Sequence, residues 1–78
     1  MNFKKITKPT ARKLFDIGKS IYLIPNKCNI HNDTWVKPTV ISKTMAVSFD
    51  KIVNEYEYYN CNYEAGKVAA YYVEKTED

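Results

Sequence analysis

The sequence predicts a small α+β domain, in which an antiparallel sheet of three to four strands carries two helices packed on one face. Three observations lead to this prediction. The chain has 78 residues, 45% of them hydrophobic and 27% charged, so we expect a single domain, 1–78, with a small core. Two segments have the apolar spacing of a helix. The segments between and after them are rich in β-branched and aromatic residues. The predicted element order is α-β-β-α-β-β.

The first helix is predicted over residues 9–17, with Thr7 or Lys8 at its start and a proline in its first turn, where a missing N–H is not needed. Ala11, Leu14 and Phe15 recur at the spacing of one helix face. Gly18 then supplies a stop, because glycine readily adopts the left-handed conformation that ends many helices.

The second helix is predicted to begin after Ser48, a residue type that caps helix N-termini. Asp50 lies in its first turn, where the helix dipole favours an anion. Its apolar face follows the helical template: Phe49, Ile52, Val53 and Tyr56.

Strands are predicted where β-branched and aromatic residues cluster, over 20–25 and 39–43. A hairpin is predicted at the end of the chain, with strands over 58–61 and 68–73. Gly66 lies in its turn and is free to take a positive φ.

The predicted strands 20–25 and 68–73 are apolar on both faces, which requires cover on both faces. Two short helices cover only one side of a sheet, so part of the second side should remain exposed as a contact patch. Some of Tyr22, Ile24, Tyr71 and Val73 are expected on that side. In the alternative, the segment 26–37 folds over this face and buries it.

The charge is divided along the chain. Residues 1–45 carry +7 and residues 46–78 carry −4, within a net charge of +3. Such a division can mark a surface that binds a partner. Six cations near the first helix are candidates for phosphate contacts in nucleic acid: Lys4, Lys5, Lys8, Arg12, Lys13 and Lys19. In the alternative, they form a solvated basic helix face.

Cys28 and His31 have the Cys-x-x-His spacing of half a zinc site, which Cys61 and Asp33 could complete. Structural zinc sites have two such half-sites, and this chain has one. The sequence therefore predicts no cofactor, and whether Cys28, His31 and Cys61 bind a metal stays open.

No catalytic motif stands out. The two glycines, Gly18 and Gly66, are too few and too far apart for a phosphate-binding loop. A Cys–His nucleophilic pair also needs a base within reach and an oxyanion site, which no pattern here indicates. The sequence therefore predicts no enzyme and no small-molecule substrate.

The longest apolar runs, 21–24 and 68–73, are far shorter than the ~18 residues of a membrane-spanning helix. No apolar stretch follows the charged first residues. These observations predict a cytoplasmic protein without membrane contact.

Several patterns together carry a resemblance: the run Ile21–Lys27, the later Trp35, Phe49-Asp50-x-x-Val53-Asn54, and Tyr58-Tyr59-Asn60-Cys61-Asn62-x-Glu64-x-Gly66-Lys67. Over roughly residues 10–75, the chain resembles small uncharacterised proteins of phages and integrative mobile elements of Gram-positive bacteria. The resemblance carries no catalytic residues. It implies a setting in which small proteins regulate genes or inhibit host enzymes, including defence nucleases.

The expected function is therefore binding rather than catalysis. The first hypothesis is contact with a host protein or with another copy of the chain, through Tyr22, Trp35, Tyr71 and Tyr72, because Tyr and Trp often carry interface energy. The alternative is a nucleic-acid-binding regulator that uses the basic N-terminal helix.

Overall fold

The computed structural model describes residues 3–30, 37–44, 46–61, 64 and 66–75, and within them it confirms the α+β class. The elements in chain order are β1 (Phe3–Ile6), α1 (Lys8–Asp16), β2 (Ile21–Pro25), β3 (Thr39–Ile41), α2 (Phe49–Asn60) and β4 (Ala69–Glu74). The strands form one antiparallel sheet in the order β1-β4-β2-β3, so β4 and β2 are its central strands.

The observed element order agrees with the prediction from α1 to α2 and differs at the two ends. The strand predicted over 58–61 is wrong, because α2 continues to Asn60 and the Cys61 N–H still donates to the Glu57 carbonyl. The helical phase places Tyr58 and Tyr59 on the solvent side, whereas a strand would send successive side chains to opposite faces.

The strand that the sequence analysis missed is β1. Its sequence, Phe-Lys-Lys-Ile, has no apolar alternation, because Lys4 lies on the same side of the sheet as Ile6. The strand forms by pairing with one side of β4. Lysines are common on edge strands, where they discourage pairing with other chains.

Side-chain caps mark both helix starts: α2 begins after Ser48 as predicted, and α1 begins one residue earlier than predicted, with Thr7 as the cap of the two residues considered. The Thr7 hydroxyl accepts a hydrogen bond from the Thr10 N–H at 3.4 Å, and the Ser48 hydroxyl accepts one from the Lys51 N–H at 3.2 Å. At the end of α1, Gly18 adopts a φ of 93°, as its role as a stop requires.

The main core lies between the two helices and one face of the sheet. Its buried residues come from both helices and from β2, β3 and β4: Ala11, Phe15, Ile21, Leu23, Ile41, Phe49, Val53, Tyr56, Ala69 and Tyr71. The helix face of the sheet is therefore covered as predicted.

The opposite face of the sheet carries a second, smaller cluster, formed by Ile24, Ala70 and Tyr72. Of the four residues from which this side was expected to draw, Tyr22 and Ile24 lie here, whereas Tyr71 and Val73 pack in the main core. The register explains the difference, since Tyr22 pairs with Tyr72 and not with Tyr71. We call this side, which neither helix covers, the helix-free face.

The connection that leads into β4 passes close to the turn after β2. Gly66 has a φ of 106°, and a Cβ at this position would lie 3.1 Å from the Asn26 Cβ and 3.2 Å from the Lys27 backbone nitrogen. Glycine is therefore required here both for its backbone conformation and for space. The predicted positive φ at Gly66 is confirmed.

Candidate functional site

A row of four side chains crosses the helix-free face, one from each strand. The register pairs Lys5 with Tyr72, Tyr72 with Tyr22, and Tyr22 with Val40. Directly paired residues of antiparallel strands point to the same side of the sheet. Val40 is 54% exposed, Tyr22 is half-buried and Tyr72 is 9% exposed. The row therefore presents an aliphatic side chain and part of an aromatic ring to solvent, with a cation at its far end.

The helix-free face is partly covered by the chain itself. Cys28 and Ile30, which follow β2, pack against its small cluster, as do Phe3 and Tyr22. The Phe3 and Tyr22 rings meet edge to face with their centroids 4.9 Å apart. Cys28 and Ile30 agree in part with the alternative in which the segment 26–37 folds over this face. Residues 31–36, which include Trp35, lie outside the described residues.

The three predicted protein-binding residues that the structure describes, Tyr22, Tyr71 and Tyr72, do not form one surface. Tyr71 is 6% exposed and lies in the main core, where its ring centroid is 6.1 Å from that of Phe49. Tyr71 is therefore not on an exposed contact surface of this fold, which corrects the expectation that it lies on one. Tyr72 is buried in the small cluster of the helix-free face. Among the described candidates, Tyr22 is the one whose side chain is partly exposed to solvent.

The buried tyrosines predict a loss of stability in alkali. Burial is the main cause that raises the pKa of Tyr71 from 10.0 to about 12, and the same holds for Tyr56. The folded chain holds these phenol protons more tightly than the unfolded chain. Their contribution to stability is therefore complete below pH 10.0 and is lost as the pH rises through about 12.

Urea unfolding between about pH 9 and about pH 11.5 tests this prediction. Tyr71→Phe should make the alkaline fall in the free energy of unfolding less steep. Tyr58→Phe, at a tyrosine 82% exposed, is the matched control and should leave the slope unchanged. Equal slopes for Tyr71→Phe and the unmodified chain would contradict the assignment.

The six predicted nucleic-acid-binding cations lie on several surfaces rather than one. Arg12 donates to the Asp50 Oδ1 at 2.6 Å, and its guanidinium carbon lies 5.6 Å from the centroid of the Phe49 ring. Its hydrogen bond is the main cause that lowers the pKa of Asp50, and Lys8 adds to this through its charge. The basic side of α1 therefore faces an acid of α2.

The remaining predicted cations point in different directions. Lys4 and Lys5 alternate across β1, so Lys4 lies on the helix side of the sheet and Lys5 on the helix-free face. Lys13 is exposed in the last turn of α1. Lys19 is exposed in the connection from α1 to β2. The six cations therefore do not form one continuous basic face on the first helix.

Lys4 and Lys19 meet at an open cleft with a volume of about 630 Å³. The cleft lies at the end of the sheet where β4 ends and β2 begins. It is lined by residues from β1, α1, β2, β4 and the flanking connections: Lys4, Leu14, Lys19, Ser20, Tyr22, Val73, Glu74 and Lys75. We call it the lysine cleft. Sequence reasoning missed Lys75, which joins Lys4 and Lys19 because β4 is the neighbour of both β1 and β2.

Tyr22 belongs to both the helix-free face and the lysine cleft. Its hydroxyl donates to the Glu74 Oε2 at 3.4 Å, a long hydrogen bond. Because the bond is long and solvent-exposed, another group can replace either partner at small cost. The residue therefore connects an apolar contact surface to a charged concavity.

A metal centre finds no support in the described part of the chain, where no group of three or more His, Cys, Asp or Glu side chains is placed to hold an ion. His31 and Asp33 lie outside that part. Cys28 and Cys61 are free thiols, both partly buried. Burial is the main cause that raises the pKa of Cys61, so its thiol is held in the protonated, less nucleophilic form.

Comparison with models of protein families, with curated proteins and with solved structures finds no match for this chain. Among the described residues, no helix has the length and apolar character needed to cross a membrane. The helix-free face and the lysine cleft are therefore the surfaces that bear on function.

Proposed function

We propose that the chain is a small non-enzymatic protein that binds another protein through its helix-free face. The observation that carries this proposal is the pairing of Tyr22 with Val40 on a face that neither helix covers. A partly exposed aromatic ring beside an exposed aliphatic side chain is the kind of apolar centre around which protein contacts form.

The charges around this face define the partner's chemistry. Lys5 on β1 is the last residue of the row that crosses the helix-free face. Lys4 and Lys19 lie nearby, in the lysine cleft at the end of the sheet. A complementary partner has an apolar contact surface with carboxylates at its rim, because a rim of opposite charge speeds association and excludes wrong partners. Regulation or inhibition of a host enzyme, such as a defence nuclease, is the role that the resemblance to proteins of mobile elements adds to this proposal.

Binding of nucleic acid along the first helix has less support. The ion pair with Asp50 occupies Arg12, and Lys8 lies within the influence of the same acid. A phosphate backbone would meet separated lysines instead of a continuous basic stripe.

The proposal is tested by comparing what the unmodified chain and Val40→Asp retain from a lysate of the source cell. Asp at this position places a charge in the apolar centre and should weaken partner binding by at least about tenfold. Ile17→Asp is the matched control, because Ile17 is 73% exposed at the end of α1. Circular dichroism of all three chains confirms that each is folded.

A partner lost with Val40→Asp and retained with Ile17→Asp supports the proposal. If the unmodified chain forms a dimer that dissociates in Val40→Asp but not in Ile17→Asp, the partner is a second copy of the chain. Equal loss with both variants, or no retained protein and no dimer with the unmodified chain, overturns it.

A further inference from the structure

The lysine cleft has an unbalanced charge. Lys4, Lys19 and Lys75 bring three ammonium groups to its wall, and Glu74 brings one carboxylate, so the lining formed by the described residues carries +2. In the described part of the chain, none of the three lysines is in an ion pair. Like charges gathered around one concavity repel each other, and an anion in the cleft would relieve that repulsion.

The size and the apolar lining of the cleft indicate more than a simple ion site. A volume of about 630 Å³ is in the range of pockets that hold small organic ligands. Leu14 and Val73 provide aliphatic surface, and Tyr22 provides an aromatic ring. Ser20 and Glu74 add a hydroxyl and a carboxylate, which can meet the hydroxyl or amino groups of a ligand.

We propose that the lysine cleft binds a nucleoside phosphate. The charge of a phosphate monoester at neutral pH, about −1.5 to −2, matches the +2 of the lining. Lysine binds phosphate as a mobile point charge, so three lysines around one cleft can adjust to it. The nucleoside lies against Tyr22 and the aliphatic lining, because aromatic side chains stack on bases of any sequence.

The same chemistry is presented by a free nucleotide and by one nucleotide of a single strand. A concave cleft at the end of the sheet fits one nucleotide unit and offers no extended track for a strand. The cleft adjoins the proposed protein contact: the two share Tyr22, and Lys4 and Lys19 lie near the rim of that contact. The nucleotide proposal rests on the lining of the cleft alone, and titration with AMP in the absence of any partner tests it separately. The variants therefore change lysines of the cleft and leave Tyr22 in place.

The experiment titrates the full chain with AMP, adenosine, inorganic phosphate and a short single-stranded oligo(dA) at low salt, with calorimetry as the readout. AMP should bind about tenfold more tightly than inorganic phosphate. Its affinity should also exceed that of adenosine by at least about tenfold. Lys19→Ala and Lys75→Ala should each weaken AMP binding by about tenfold, because each removes one ammonium from the phosphate.

Lys13→Ala and Lys51→Ala are matched controls at exposed lysines outside the cleft, and they should leave the affinity for AMP unchanged. An oligo(dA) that competes with AMP and loses affinity in the cleft variants identifies a single strand as the natural source. An oligo(dA) that does not displace AMP identifies a free nucleotide. No binding of AMP, equal affinity for AMP and inorganic phosphate, or equal losses in the cleft and control variants would overturn the proposal.

Discussion

Replacing Phe49 with alanine is expected to lower the free energy of unfolding by about 3–5 kcal/mol. Phe49 is 4% exposed and joins the two helices to the sheet. Its ring centroid lies 5.3 Å from that of Phe15 in α1 and 6.1 Å from that of Tyr71 in β4. Truncation therefore removes contacts in three elements at once and leaves a cavity between them.

The size of the chain makes this loss severe. A domain of this length has a total stability of about 4–12 kcal/mol, so Phe49→Ala should remove at least about a quarter of it and would unfold a chain at the lower end of that range. Urea unfolding followed by circular dichroism measures the change. Phe49→Leu retains most of the volume and should lose less than half as much. A loss below about 1 kcal/mol for Phe49→Ala would show that the helices do not pack as described.

Replacing Ile24 with alanine should have the second-largest effect, about 2–5 kcal/mol. Ile24 is fully buried although it lies on the side of the sheet that has no helix. Its neighbours are Ala70, Tyr72 and side chains from the segment after β2, Cys28 and Ile30. The variant therefore measures how much the packing on the helix-free face contributes to the free energy of unfolding.

Val40→Ala is the matched control for Ile24→Ala. It lies on the same face but is 54% exposed on an edge strand, so its loss should be less than about 1 kcal/mol. Equal and small losses for the two variants would mean that Ile24 is loosely packed. In that case, the apolar surface open to a partner would be larger than Tyr22 and Val40 define.

The sequence was sufficient to predict the local elements whose signals lie within a few residues. The caps at Thr7 and Ser48, the stop at Gly18 and the apolar faces of the helices all follow from short-range spacing. The alternation along β4 was also predictable, because successive side chains of a strand must point to opposite faces.

What could not be predicted is how the strands are aligned with one another. Alternation shows which residues of one strand lie on the same face of the sheet. It does not show which residues of the neighbouring strand lie on that face with them. The pairing of Tyr22 with Tyr72 sets that relation and sends Tyr71 into the main core. A shift of one residue would have exchanged the two tyrosines.

The same limit applies to the candidate site. Val40 has no feature that distinguishes it until the register places it beside Tyr22. Lys75 lies about 70 residues from Lys4 in the chain, and only the position of β4 between β1 and β2 brings them to one cleft. The pairing of Arg12 with Asp50 depends equally on how the two helices lie on the sheet.

The position of β4 also governs the order in which this fold can assemble. The two strands that flank β4 are made early in synthesis, and both must wait for the residues around 69–74 before the sheet can close. Until those residues leave the ribosome, β1 has no neighbour and β2 can pair with β3 alone. Contacts between segments so distant in the chain slow folding, because a long loop must close before any pairing compensates for the lost entropy. Until β4 is available, the edges of β1 and β2 that it covers stay unpaired, and unpaired strand edges are where chains associate and aggregate.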